Sequence, residues 1–243
     1  MNGFFLALQF LTTLPVPYEV HFNDRAQAVS LIYYPLVGLL IGSLLWLITL
    51  LPGHEVLKAA LLVVFWVAVT GALHLDGLAD VADAWAGGLG DRDRTLEIMK
   101  DPASGPMGVS AIGVVVLLKF AALLELLQSE IIWLVLLPPV LGRAAVLVML
   151  LTTRYVREGG IATAMERHLP VRAVRVVLSL VAVSIVLLPG YAPLAVAVML
   201  ALLLTGLRRA FVQRLGGITG DVLGAVVVIT EVAVLVTLVW FAT

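Results

Sequence analysis

Seven apolar runs, at roughly 31–51, 57–73, 107–127, 131–151, 173–188, 191–206 and 221–242, leave this chain few ways to fold. A helix of about 17 to 25 apolar residues crosses about 30 Å of hydrocarbon, and these runs reach or approach that length. Between them too little polar surface remains to cover a soluble globule, since 62% of the 243 residues are hydrophobic and 13% charged. The expectation is an all-α, polytopic membrane helix bundle of about six to seven transmembrane helices, formed as one domain over 1–243. The fifth and sixth runs, parted only by Pro189-Gly190, are the shortest. Residues 1–17 open apolar, lack a basic start and end in Pro15-Val16-Pro17, which points to a helix in the interface or packed on the bundle rather than a cleaved signal.

Loops assigned alternately to two sides separate the cations. Arg25, Arg92, Arg94, Lys100, Arg154, Arg157, Arg167, Arg172, Arg175, Arg208, Arg209 and Arg214 fall on the side of the N-terminus, and Lys58 alone falls on the other. By the positive-inside rule the basic side is cytoplasmic. The polar segments 74–106, 152–172 and 207–220 share that side. A one-sided polar face suits an enzyme acting at the membrane better than a transporter, which needs access from both sides. Lys119 and Arg143 lie inside predicted spans, where a charge needs a partner, water or a ligand. For Arg143, pairing with an intramembrane acid such as Glu125 or Glu231 and direct substrate contact are both open.

The chemistry concentrates in 74–106. If the segment after Leu75 is helical, Asp76, Asp80 and Asp83 sit at i, i+4 and i+7 and project from one face. Hard oxygen ligands at that spacing suit Mg²⁺, which takes a few carboxylates together with substrate phosphates and water. A solvated acidic loop would have the same composition. Cysteine is absent, which removes disulfides and thiolate sites. His21, His54, His74 and His168 form no ligand pair at helical spacing.

Two further segments accompany the acids. Lys100 to Gly108, with Asp101, Ser104 and two prolines, must turn and would offer backbone N–H groups beside Lys100 and Ser104 to a phosphate. A bland linker reads the same way. Arg214 to Asp221 contains Gly216, Gly217 and Gly220, a hydroxyl at Thr219 and a carboxylate at Asp221; ligand contact and simple helix capping are both open for Asp221.

The strings Gly71 to Ala84 (GALHLDGLADVADA), Arg94 to Gly108 ending in LEIMKDPASGPMG, and Gly216 to Ala225 (GGITGDVLGA) together resemble cobalamin synthase, the adenosylcobinamide-GDP ribazoletransferase family. Phe10 to Pro17 and Tyr34 to Gly42 are similar to that family's opening, so the likeness runs over nearly the whole chain. The resemblance implies a membrane enzyme of the last steps of cobalamin biosynthesis, in the cytoplasmic (inner) membrane with its site facing the cytoplasm. A ribose hydroxyl of α-ribazole, or of its 5′-phosphate, attacks the corrinoid-side phosphorus of adenosylcobinamide-GDP, and GMP leaves. Asp76, Asp80 and Asp83 would then hold Mg²⁺. One of them, Asp101 or His74 would take the hydroxyl proton, and Lys100, Ser104, Arg143, Arg214, Gly217, Thr219 and Asp221 would meet substrate. The implied partners are these small molecules and the lipid bilayer, with no nucleic acid; a homo-oligomer is compatible with the resemblance.

Two other classes compete. A CDP-alcohol phosphotransferase also uses spaced aspartates around an Asp-Gly pair, but needs an aspartate three residues before it and an Ala-Arg shortly after. Leu73 and Asp80-Val81 stand there instead. A divalent-cation transporter would want its acids deep in the spans.

Overall fold

The computed structural model describes residues 2–16, 23–157 and 165–241. Among them the ordered elements are helical, apart from one isolated parallel bridge between Tyr155 and Ile218. The helices are α1 (Asn2–Leu11), α2 (Asp24–Ser30), α3 (Tyr34–Thr49), α4 (Glu55–Thr70), α5 (Leu73–Gly87), α6 (Arg92–Ile98), α7 (Pro106–Leu127), α8 (Leu137–Thr152), α9 (Val171–Val186), α10 (Ala192–Leu215) and α11 (Gly220–Phe241), with 3₁₀ turns leading into α3 and α8. Five helical stretches are long and apolar enough to cross a membrane: Asp24–Thr49, Pro106–Leu127, Ile132–Thr152, Ala192–Leu215 and Gly220–Phe241. The bent pair of α4 and α5 raises this to six if it is one span. Every predicted apolar run is helical, so the all-α membrane bundle stands.

The seventh run forms α11, buried nearly all round, and it packs on α5, α7, α8 and α10. Small residues let the helices approach, as membrane packing requires when water supplies no drive between helices. A Cβ added at Gly42 of α3 would come 2.7 Å from the Leu136 carbonyl oxygen, and one at Gly142 of α8 would come 2.9 Å from the Glu231 side chain of α11. Within this core Glu231 accepts from Lys119 Nζ at 2.6 Å and from the wholly buried Arg143 guanidinium. Lys119 also sits 3.8 Å over the Trp66 ring. Of the two readings left open for Arg143, the structure takes the intramembrane pairing, and its acid is Glu231.

The first helix packs on α2 and α3 through Leu6, Ala7, Leu8 and Leu11, and the chain beyond it caps α4. Thr13 donates its N–H to the Val69 carbonyl at 2.8 Å and its hydroxyl to that of Ala68 at 3.0 Å, satisfying carbonyls that a helix end leaves orphaned. Gly71 and Ala72 both adopt left-handed backbone (φ 58° and 56°), and two such residues in succession turn the chain through 88°. The fifth helix therefore leaves the line of α4, and we read it as a re-entrant helix outside the five spans.

The helix considered after Leu75 is present: 74–106 is mostly α5 and α6, and most of 207–220 is the last turns of α10, with only 216–219 outside helices. The three polar segments nevertheless meet at one end of the bundle. Arg92 donates to the Leu215 carbonyl at 2.8 Å, Arg208 to that of Thr152 at 3.0 Å, and Arg214 to that of Trp85 at 3.0 Å.

Candidate active site

The crossing of α5 and α11 builds the acidic centre. Gly77 faces α11 so closely that a Cβ there would lie 2.7 Å from the Asp221 carbonyl oxygen, and Gly224 in turn abuts Gly77 and His74. Asp76 and Asp80 flank that contact on α5, so Asp221 enters the carboxylate group. Burial first, then the charges of Asp76, Asp221 and Asp83, push the Asp80 carboxyl up to about 6. Mutual repulsion of this kind is relieved by a cation.

The third member of the predicted ladder has another role. Asp83 Oδ2 accepts from the Gly105 N–H at 2.6 Å, while Oδ1 accepts from Met107 and Gly108 at 3.1 and 3.0 Å. These donors are the unsatisfied N–H groups at the start of α7, which begins at Pro106. In the turn from Lys100 to Gly108, where a phosphate was expected, these backbone N–H groups gather around the Asp83 carboxylate. Ser104 is exposed, and Asp101 accepts from the Ala103 N–H at 2.9 Å within its own turn.

Among the described residues no three carboxylate or imidazole groups converge into a ready-made metal cage. One or two of Asp76, Asp80 and Asp221 would suit a hard divalent cation that completes its shell with phosphate and water, because Mg²⁺ is usually held by only one or two carboxylates.

Cations surround this centre. Arg157 donates to Asp221 at 3.1 Å and lines three adjoining cavities. One, of about 580 Å³, is strongly basic, with Arg92, Arg154, Arg157 and Arg167 in its wall and Glu166 and Tyr155 beside them. A second, about 200 Å³, holds Lys100, Thr219 and Asp221 together with Met99. A third, about 260 Å³, runs from Asp76, Asp221 and Arg157 down into apolar side chains and includes His74.

The sequence-predicted residues divide accordingly. Asp76, Asp80, Asp221, Lys100 and Thr219 come together. His74, on the buried face of α5, lines the apolar cavity. Arg214 does not face these cavities: it donates to Thr95 Oγ1 at 3.0 Å and lies over the Trp85 ring, tying α10 to α5 and α6. Gly217 is buried against the Arg154 carbonyl and Val156, so its missing side chain admits the Tyr155–Ile218 bridge rather than a ligand. Arg92, Arg154, Tyr155 and Arg157 escaped sequence reasoning as site residues. Residues 153–157 form no helix, and the bridge that brings them to the acids joins positions 63 apart, so no local spacing announces them.

The chain is similar to known proteins over nearly its whole length. The family model described as cobalamin-5-phosphate synthase matches residues 3–239. A relative from Ectopseudomonas mendocina (strain ymp), named adenosylcobinamide-GDP ribazoletransferase, is 51% identical over 236 residues, covering 96% of this chain and 96% of its own. Relatives of the same name from Stutzerimonas stutzeri (strain A1501) and Pseudomonas fluorescens (strain SBW25) are 50% and 47% identical, each over 238 residues, with 95% and 97% of this chain and 95% and 98% of their own covered. No solved structure matches the chain.

Proposed function

Since the chain belongs to the cobalamin-5-phosphate synthase family, we infer that it is an adenosylcobinamide-GDP ribazoletransferase, joining the corrinoid phosphate to ribazole or its 5′-phosphate and releasing GMP. The observation that carries the reading at the level of the site is the contact of Arg157 with Asp221, where a carboxylate group and a four-arginine cavity share a wall. A diphosphate ester needs both: cations along its oxygens, and carboxylates for a metal ion or a proton.

In this reading the basic cavity takes the GDP end, with Arg157 and Lys100 against the diphosphate. An oxygen of the acceptor ribose bonds to the phosphorus nearer the corrinoid. The bond from that phosphorus to the bridging oxygen breaks, and GMP leaves with the electron pair. Asp76 or Asp80 takes the hydroxyl proton. A divalent cation held by one or two of Asp76, Asp80 and Asp221, which we propose is Mg²⁺, would supply charge neutralisation to the diphosphate. Such a transfer rests on positioning and electrostatics. The polar end faces the cytoplasm, since it carries nearly all the cations outside the spans. Incubating the purified protein with adenosylcobinamide-GDP and α-ribazole, with Mg²⁺ or with EDTA, tests the reading by mass spectrometry. A corrinoid product and GMP in Mg²⁺ alone are expected; no product from a folded preparation overturns it.

A further inference from the structure

The cavity of about 260 Å³ has two chemically different ends. Asp76, Asp221 and Arg157 stand at one. The other is walled by Tyr34, Val146, Leu150, Met165 and Val227, with Phe10 stacked on Tyr34 at 6.3 Å between ring centroids. His74 also lines it, only 7% exposed and set among apolar neighbours. A polar side chain set in an apolar wall gains from a hydrogen-bond partner supplied by a ligand. His74 therefore offers a polar contact to whatever fills the cavity.

We propose that this cavity seats the base of the acceptor nucleoside, a fused two-ring apolar heteroaromatic, with a His74 N–H donating to its ring nitrogen and the ribose directed at Asp76, Asp221 and Arg157. The proposal rests on the transferase reading above. Size and polarity both favour this occupant. At about 260 Å³ the cavity falls just short of the roughly 300–1,000 Å³ usual for whole drug-sized ligands, a size for a bicyclic base and not for a corrin macrocycle. Guanine, with polar groups around its edge, would lose hydrogen bonds against aliphatic walls, which sends the donor's base to the arginine-lined cavity instead. An apolar base loses nothing there, and flat rings pack on the Phe10–Tyr34 stack.

The test uses the full-length protein in nanodiscs, with KM and direct calorimetric affinity measured for α-ribazole, its dimethylindole analogue lacking the ring nitrogen, and the α-riboside of adenine. Wild type should prefer them in that order, because a polar edge is rejected by apolar walls and a lost hydrogen bond weakens binding. Leu150→Phe, which fills the cavity, should raise the KM for α-ribazole about tenfold or more, as clashes and lost contacts in such pockets do, and leave the KM for adenosylcobinamide-GDP within about twofold. His74→Leu should bind α-ribazole and the indole analogue equally. This second variant serves if Leu150→Phe does not fold. Continued GMP release with the base preference unchanged in both variants would remove the base from this cavity, as would an acyl chain held there that α-ribazole does not displace, and either result would leave the transferase reading intact. Absence of product with every acceptor in wild type would instead remove the transferase reading.

Discussion

The α-carbon of Gly77 faces the backbone of Asp221 with no room for a side chain: a Cβ on Gly77 would meet the Asp221 carbonyl oxygen at 2.7 Å. That contact sets the distance between the two halves of the acidic centre. Gly77→Ala should therefore lower turnover with a modest loss of thermal stability, and Gly77→Val should abolish turnover and destabilise by about 1–3 kcal/mol, the usual effect of overpacking. Turnover and detergent melting curves check both. Wild-type activity in Gly77→Val would show that the crossing does not position the carboxylates.

Asp83 should part company with Asp76 and Asp80 on substitution. Three backbone N–H groups at the start of α7 depend on its carboxylate. Asp83→Ala should cost about 0.5–2 kcal/mol of stability, as loss of a helix cap does. Asp76→Asn and Asp80→Asn should lose most turnover with no fall in melting temperature. Equal melting temperatures in all three variants would return Asp83 to the metal-binding ladder.

Activity and stability should move in opposite directions with pH. Asp80 titrates at about 6 in the folded protein, pushed up by burial and by Asp76, Asp221 and Asp83, against about 4 for a free carboxyl. Between those values the folded state holds more protons than the unfolded chain, so stability falls as pH rises through that window. Turnover, which requires the carboxylate, rises over the same window. Asp80→Asn should flatten the stability profile. Added Mg²⁺ should move the activity limb to lower pH, because a bound cation favours the ionised form. An activity limb indifferent to Mg²⁺ would count against a cation at Asp80.

The ion cluster in the core pairs two cations with one acid: Lys119 and Arg143 with Glu231. Removing Glu231 strands both charges, so Glu231→Gln should destabilise by about 3–5 kcal/mol or prevent folding, the range for breaking a buried pair. Lys119→Met leaves Arg143 and Glu231 balanced and should be far milder. Melting temperatures of the two variants, compared side by side, decide this; equal losses would contradict the charge balance.

Because the chain has no native cysteine, single cysteines report sidedness directly. Ser104→Cys and Gln213→Cys, both exposed at the polar end, should resist an impermeant maleimide applied outside the cell. Glu130→Cys, past the far end of α7, should react. Outside labelling of position 104 or 213 would invert the orientation.

Much of this protein is determined by properties that travel along the chain. Apolar runs long enough to span a bilayer must become helices, because lipid offers no partner to a bare backbone, and the spacing of Asp76 and Asp80 needs only helical periodicity to share a face. The partners of these residues were settled at longer range. Asp83 and Arg214 have the same residue types whether they meet a ligand or a helix end; the approach of the α7 N-terminus and of Thr95 and Trp85 assigned both to structure. Arg157 reaches Asp221 only because the 153–157 segment bridges to Ile218. Helical period and hydropathy are local quantities, whereas the choice between ligand and structural partner depends on which distant groups the packing delivers within about 3 Å, the length of a hydrogen bond.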